Sequence, residues 1–217
     1  MTLFRQPPAP SSIRQRSLVH RIAALALDYP DAALVARIPS MRAATDGLDE
    51  PFRGLLGRTL DHLDRTPVAQ LEADYVATFD LRRRCSPYLT YYAYGDTRKR
   101  GIALLVFKQA YRLAGVELTA DELPDHLCVV LEFAATADPD AGTRLLIEHR
   151  AGLELLRLAL ADTGSPYADA LAAVSATLPP LAGPERDAVA RLAAEGPPNE
   201  DVGLEPFAPP DYMGVRI

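Results

Sequence analysis

The sequence predicts an all-α protein, and three observations support this fold class. Apolar residues recur at the three- and four-residue spacing of a helix, as in the stripe Leu145, His149, Leu153, Leu156 and Leu160. Prolines precede many of the periodic segments, where the N–H that proline lacks would have no helical partner anyway. No segment shows a convincing apolar–polar alternation with the period of two that strands require. We therefore expect a single compact multi-helix domain of about nine helices.

The first part of the chain is divided into four predicted helices by its prolines. Pro30, Pro51 and Pro67 each precede a segment with helical periodicity, and Thr66 precedes the last of them as a candidate N-cap. These helices are predicted over residues 13–28, 31–45, 51–65 and 67–79.

Five further helices are predicted in the rest of the chain. The first follows Asp96 as a candidate N-cap and ends before Gly115, a residue that suits a helix C-terminus. The segment LCVVLEFAA is apolar on nearly all sides, which is typical of a helix at the centre of a fold. These helices are predicted over residues 97–114, 124–136, 139–163, 166–178 and 184–194.

Length and composition indicate one domain with two tails. A chain of 217 residues can bury a substantial core, and its 48% hydrophobic and 24% charged residues are typical of a soluble globular protein. We expect a flexible lead over residues 1–12, the helical domain over 13–194 and an acidic, proline-rich tail over 195–217.

Charge, cysteine content and hydropathy exclude several classes of protein. A net charge of -6 argues against a general nucleic-acid binder. The two cysteines, Cys85 and Cys128, form no CxxC pair, which suits a reducing compartment. The start of the chain lacks the apolar segment of a secretory signal, and no apolar run approaches the roughly 20 residues that span a bilayer. We expect a cytoplasmic protein without direct membrane insertion.

The stretch from Tyr75 to Arg100 differs from the helical remainder because it is aromatic and basic. Ser86-Pro87 and Gly95-Asp96 interrupt helical structure there. The basic residues could bind phosphate groups of RNA, a nucleotide or a pterin dinucleotide, or they could be solvated arginines offset by nearby carboxylates. Its candidate contact residues are Arg82, Arg83, Arg84, Tyr88, Tyr91, Tyr92, Arg98 and Arg100.

The pair Asp125-His126 is the second candidate feature. It could provide an acid and an imidazole at the mouth of a cleft, or it could stabilise a helix N-terminus locally. His126 and Cys128 are two residues apart and therefore on different sides of a helix, so we expect no metal site there. No P-loop, GxGxxG, GxSxG or HExxH motif is present, which favours a binding module over an enzyme.

A long motif string identifies a family resemblance. The segments DYVATFDLRRRCSPYLTYYAYGDTRKRG, LLVFKQAYRLAG and ELPDHLCVVLEFAA, within residues 74–135, resemble the respiratory nitrate reductase assembly chaperones, the delta-subunit or NarJ family. The wider superfamily comprises all-helical chaperones dedicated to molybdenum enzymes. Its members resemble one another in a Tyr/Trp-x-x-x-Phe element and a Pro-Asp-His element, here Tyr75–Phe79 and Pro124-Asp125-His126.

The resemblance implies a chaperone that binds the N-terminal segment of the immature catalytic alpha subunit of a membrane-bound nitrate reductase. Such a chaperone favours insertion of the molybdenum cofactor, delays docking onto the membrane partner and is absent from the finished enzyme. It implies no stably bound cofactor, only a transient association with that of the client, and cofactor-delivery proteins are candidate partners. The implied peptide-binding residues are Tyr75, Phe79, Pro124, Asp125 and His126.

Two other functions are weighed against this one. A nucleotide- or RNA-binding protein would use the tyrosine and arginine residues of the loop, with salt-dependent affinity. A small hydrolytic enzyme would be centred on Asp125-His126, but no nucleophile or oxyanion feature accompanies the pair. The arginine clusters at 82–84 and 98–100 would repel a basic peptide if they faced it, so we expect them to face elsewhere, towards an acidic surface of the client or the phosphates of its cofactor.

Overall fold

The computed structural model describes residues 12–118 and 122–195 and confirms the all-α fold. A π-helical turn, Val76–Asp80, extends the fifth helix, and a 3-10 turn, Arg83–Cys85, follows it. The described residues form twelve α-helices: α1 (Ile13–Ala26), α2 (Ala32–Val35), α3 (Ile38–Asp46), α4 (Phe52–Arg65), α5 (Val68–Tyr75), α6 (Tyr91–Tyr94), α7 (Arg98–Leu113), α8 (Leu127–Thr136), α9 (Pro139–Glu148), α10 (Arg150–Asp162), α11 (Ala168–Thr177) and α12 (Gly183–Glu195).

The described residues form more helices than the nine predicted, and the additional ones have identifiable causes. The segment predicted as one helix over 31–45 is divided into α2 and α3, because Pro39 cannot donate a hydrogen bond to the Val35 carbonyl and its ring would clash there. The segment predicted over 139–163 bends at His149, which has φ -106° and ψ 23°. The segment between Arg82 and Arg100, the tyrosine-rich loop, contains the short helix α6, where the sequence predicts no helix.

The core is built around α1. This helix packs against α3, α4, α8 and α11, and its Val19 and Ala23 are fully buried. The central position predicted for the LCVVLEFAA segment is borne out, since Val130 and Leu131 of α8 have no exposed surface. Helix α9 crosses α8 closely at Gly142, where an added Cβ would lie 2.3 Å from the Cβ of Ala134.

Helix α10 packs against the tyrosine-rich loop. It contacts α6 and the 3-10 turn as well as α11 and α12. A Cβ on its Gly152 would lie 2.9 Å from the Leu89 carbonyl oxygen and 3.1 Å from the Tyr92 ring. The loop is therefore pressed against α10, which fixes the position of the residues that follow Arg84.

All but one residue of the predicted lead and all but one residue of the predicted tail lie outside the described residues. Of the predicted lead only Ser12 is described, as the N-cap of α1, and of the predicted tail only Glu195, the last residue of α12. None of the described helices combines the length and apolar content needed to cross a bilayer. Within the same residues, no group of three His, Cys, Asp or Glu side chains is arranged to hold a metal ion.

Candidate functional site

A cleft of about 530 Å³ opens between the end of α1, the π-helical turn and the tyrosine-rich loop. It brings together parts of both motif segments, which are separated in sequence by some forty residues. The residues that line it are Asp28, Tyr29, Tyr75, Phe79, Asp80, Arg83, Ser86, Pro87, Tyr88, Tyr91, Asp96, Arg100, Glu122 and His126.

The aromatic pair Tyr75 and Phe79 forms the inner wall of the cleft. Their ring centroids are 4.6 Å apart, and both side chains are mostly buried against Tyr167. The Tyr75 hydroxyl donates a hydrogen bond of 3.2 Å to the Leu27 carbonyl, and burial raises its pKa well above the ordinary value. The pair therefore packs mainly in the core and exposes little surface to the cleft.

His126 is the N-cap of α8 and the polar group at the cleft wall. Its Nδ1 accepts a hydrogen bond of 3.3 Å from the Cys128 backbone N–H. Burial lowers the pKa of His126, against the opposing effect of Glu122, Asp28 and Asp125. The imidazole is therefore neutral at pH 7, and because Nδ1 accepts, the proton lies on Nε2, where it can be donated to a ligand.

Asp125 does not line the cleft. Its side chain has no exposed surface, and its Oδ2 accepts hydrogen bonds from the Thr90 N–H at 3.1 Å and the Thr90 hydroxyl at 2.5 Å. The interpretation of Asp125 as an exposed acid at a cleft mouth is therefore wrong. Because its hydrogen bonds go to Thr90 and His126 Nδ1 is occupied by Cys128, the two side chains do not form the dyad that a hydrolytic centre would need.

The turn around Pro124 is joined to the tyrosine-rich loop by backbone hydrogen bonds. Leu89 N–H donates to the Asp125 carbonyl at 3.1 Å, and Leu127 N–H donates to the Pro87 carbonyl at 2.8 Å. Pro124 is buried and its carbonyl accepts a 2.6 Å hydrogen bond from the Tyr111 hydroxyl. The sequence predicts a helix that begins at residue 124. Because these hydrogen bonds engage the carbonyls of Pro124 and Asp125, α8 begins only at Leu127.

The tyrosines of the loop have different environments. The Tyr88 hydroxyl donates to Glu122 at 3.1 Å, its ring lies edge-on to His126, and burial together with Glu122 raises its pKa to about 12. Tyr91 lines the cleft but is buried, and the Tyr92 hydroxyl lies 3.0 Å from the carbonyl oxygens of Arg84 and Ser86. Base stacking requires exposed ring faces, so this arrangement disfavours the RNA-binding alternative.

The arginines fall into two groups. Arg82, Arg84 and Arg98 are exposed and do not line the cleft, and the Arg84 guanidinium lies 3.6 Å from Asp162. Arg83 and Arg100 line the cleft, contrary to the expectation that all these arginines face elsewhere.

Arg100 is held in place on several sides. Its side chain is 13% exposed, lies 3.1 Å from Asp96 and 3.7 Å from Asp125, and stacks over the Tyr88 ring at 5.1 Å. Its charge is therefore largely balanced by carboxylates of the chain itself.

Seven of the fourteen lining residues were not among the predicted site residues, and three of them lie outside the tyrosine-rich loop and the turn that carries His126. Asp28 and Tyr29 follow α1, and the Tyr29 ring lies edge-on to Tyr75 with centroids 5.4 Å apart. Asp80 ends the π-helical turn. No local pattern marks Asp28 or Tyr29, because they reach the cleft only through the packing of α1 in the core. The lining thus has four carboxylates against two guanidiniums, which makes an aromatic cleft with an acidic excess.

A protein-family model matches more than half of the chain. The model of the family described as nitrate reductase delta subunit matches residues 45–173 of this chain. The matched region contains the π-helical turn, the tyrosine-rich loop and the turn that carries His126.

Several curated proteins are similar in sequence. The nitrate reductase-like protein NarX of Mycobacterium tuberculosis is 42% identical over 172 residues, which is 79% of this chain but only 26% of NarX, so this chain spans about a quarter of that relative. The nitrate reductase molybdenum cofactor assembly chaperone NarJ of Bacillus subtilis is 34% identical over 70% of this chain and 83% of its own length. NarJ of Escherichia coli is 32% identical over 65% of this chain and 61% of its own length.

Similar folds occur among solved structures. A redox enzyme maturation protein from Archaeoglobus fulgidus superposes with a TM-score of 0.55 at 22% sequence identity. The superposition covers 80% of this chain and 96% of that protein.

Proposed function

The chain belongs to the nitrate reductase delta-subunit family, and on that premise we propose that it is a dedicated assembly chaperone of a nitrate reductase. In this proposal it holds the N-terminal segment of the immature catalytic alpha subunit in the cleft, supports insertion of the molybdenum cofactor and delays assembly at the membrane. It acts in the cytoplasm, is not an enzyme and does not remain in the finished complex. Residues 13–194 form the functional domain.

The observation that carries the proposal is that three of the five motif residues, Tyr75, Phe79 and His126, meet at one aromatic cleft with an acidic excess. An amphipathic peptide helix that binds in a groove needs apolar anchoring surfaces and a few charged or polar groups at the rim. Tyr29, Tyr88 and the edge of Phe79 offer aromatic surface, and Asp28 and Asp80 offer negative charge. A client segment with apolar and cationic side chains matches this lining.

The motif residues divide between contact and support in this proposal. His126 donates Nε2–H to the peptide, while Asp125 joins its turn to the tyrosine-rich loop and Pro124 joins the same turn to Tyr111 of α7. Tyr75 and Tyr92 support the wall from within the core. Direct contact therefore belongs to His126 and not to its acidic neighbour.

The exposed arginines outside the cleft form a second proposed contact. Arg82, Arg84 and Arg98 are exposed and can approach an acidic surface of the client or the phosphates of its molybdenum cofactor, since guanidinium groups bind carboxylates and phosphates in a bidentate manner. Such an association would be transient, and cofactor-delivery proteins are candidate partners in the same step.

Calorimetry with a synthetic peptide of the alpha subunit's N-terminus tests the proposal. His126→Asn and His126→Ala are both expected to weaken binding about tenfold, because each removes the imidazole donor and ring. Only the alanine variant is expected to lose about 1 kcal/mol of folding stability, because asparagine can still cap α8. If no N-terminal peptide of the client binds the wild-type chain, the groove proposal is wrong.

The acidic excess of the cleft gives a second prediction. Asp28→Asn combined with Asp80→Asn is expected to raise the peptide Kd about tenfold for a peptide with two cations, and to weaken its dependence on salt. Asp46→Asn combined with Asp49→Asn is the matched control, because these exposed residues carry the same charge outside the cleft. Equal losses in both double variants would mean that overall charge, and not the cleft, attracts the peptide.

A further inference from the structure

Helix α7 has an exposed face that is strongly apolar. Its inner side is buried through Phe107 and Tyr111, which are 0% and 4% exposed. Large apolar side chains occupy the outer side, where none of the described elements covers them: Ile102 is 70% exposed, Leu105 56%, Val106 48% and Leu113 81%. A helix of 16 residues that exposes four such side chains has an apolar surface available for binding.

All the charged residues of α7 are basic. The sequence RKRGIALLVFKQAYRL has five basic residues and no acidic one, although the whole chain has a net charge of -6. Lys99 and Lys108 are the two lysines of the chain, and both are exposed on α7 together with Arg98 and Arg112. Positive charge is thus concentrated on one helix of an acidic protein.

The helical spacing arranges these side chains in stripes. At 3.6 residues per turn, Leu105, Ile102, Leu113 and Val106 fall within an outer stripe about 100° wide, on the side of the helix away from Phe107. Lys99 lies at one margin of the stripe, and Arg112 lies toward the other margin. An apolar stripe between basic margins is the pattern of a helix that lies in a membrane interface, where the apolar side chains enter the acyl boundary and the cations reach lipid phosphates.

We propose that the exposed face of α7 binds the surface of anionic phospholipid bilayers. A uniformly anionic lipid surface matches a helix whose charges all have one sign, whereas protein partners commonly present both signs. This binding is peripheral and separate from the cleft, so it does not depend on the proposed chaperone function.

Vesicle sedimentation with the full chain tests the proposal. The chain is expected to sediment with vesicles of phosphatidylcholine mixed with phosphatidylglycerol, much less with phosphatidylcholine alone, and less as salt screens the charges. Lys99→Glu combined with Lys108→Glu is expected to lower the partition coefficient on the order of a hundredfold. Ile102→Ser combined with Leu113→Ser is expected to lower it about tenfold, because less apolar surface enters the interface.

A matched double variant controls for total charge. Arg53→Glu combined with Arg65→Glu makes the same charge change on exposed residues of α4 and is expected to retain most of the binding. Circular dichroism verifies that each variant is folded. Absence of binding to the anionic vesicles at low salt would overturn the proposal, as would equal losses in the α4 control or unchanged binding in both α7 variants.

Assays of client binding distinguish the α7 surface from the cleft. The α7 variants are expected to bind the client's N-terminal peptide with unchanged affinity in calorimetry, because none of the four substituted residues lines the cleft. If they keep lipid binding but lose the intact alpha subunit in a pull-down, α7 is a protein interface and the lipid proposal is wrong.

Discussion

Asp125→Ala is expected to lose about 3 kcal/mol of its free energy of unfolding and most of its affinity for the client peptide, although Asp125 has no exposed surface. Its Oδ2 accepts two hydrogen bonds from Thr90 and lies 3.7 Å from an Arg100 nitrogen. Alanine would leave the Thr90 amide without its acceptor and remove a buried countercharge from Arg100. Denaturant unfolding and calorimetry with the peptide measure the two effects.

The conservative variant distinguishes a supporting role from direct contact. Asp125→Asn keeps an acceptor for Thr90 but removes the charge opposite Arg100, so we expect it to lose only about 1 to 2 kcal/mol of stability and part of the affinity. The amide of Thr90 is expected to exchange with solvent faster in the alanine variant than in the asparagine variant. An alanine variant that unfolds like the wild type and yet fails to bind would mean that the carboxylate contacts the peptide itself.

The positions of the helices could be predicted because their cause is local. Apolar spacing predicts where a helix can bury one face, and prolines fix where helices begin, so most predicted segments coincide with observed ones. The break before Pro39 also has a local cause, but the continuous periodicity of 31–45 concealed it. The bend at His149 has no comparable local signal in the sequence, since neither proline nor glycine occupies that position.

The candidate site could be predicted only in part because exposure depends on tertiary structure. The motif marks Asp125 and His126 equally, but packing buries the carboxylate under Thr90 and leaves the imidazole at the cleft. The same holds for Tyr88 and Tyr92, which differ in orientation although they are four residues apart. Tyr29 belongs to the cleft only because α1 packs against α8, a contact between segments about a hundred residues apart.

Acid is expected to destabilise the fold through His20, a buried residue that belongs to neither proposed binding surface. The Thr177 hydroxyl donates to the Val174 carbonyl, so it accepts the His20 Nε2–H at 2.9 Å, and Nδ1 has no partner among the described residues. Burial, with a smaller effect of Arg16, lowers the pKa of His20 to about 4. A proton on Nδ1 would place an uncompensated charge between α1 and α11.

The sign of the effect follows from proton linkage. Between the ordinary pKa of 6.5 and the native value of about 4, the unfolded chain binds a proton that the folded chain rejects. Stability is therefore complete above pH 6.5 and falls by about 3 kcal/mol as the pH drops to 4. Burial also lowers the pKa of His62, His126 and His149, and these residues add to the loss with the same sign.

A glutamine variant isolates the contribution of His20 from the other titrating groups. His20→Gln keeps an N–H donor for Thr177 but cannot be protonated, so its stability relative to wild type is expected to improve by about 3 kcal/mol between pH 7 and pH 4. Denaturant unfolding across that range measures the difference in free energy of unfolding between the two proteins. The contribution of carboxylate titration is the same in both and cancels from this difference. His62→Gln is the control and is expected to change the profile less, because His62 is only half-buried. If the stability of wild type and that of His20→Gln depend on pH in the same way, the folded core accepts a proton on His20. The inference from the Thr177 hydrogen bond and the unpartnered Nδ1 would then be wrong.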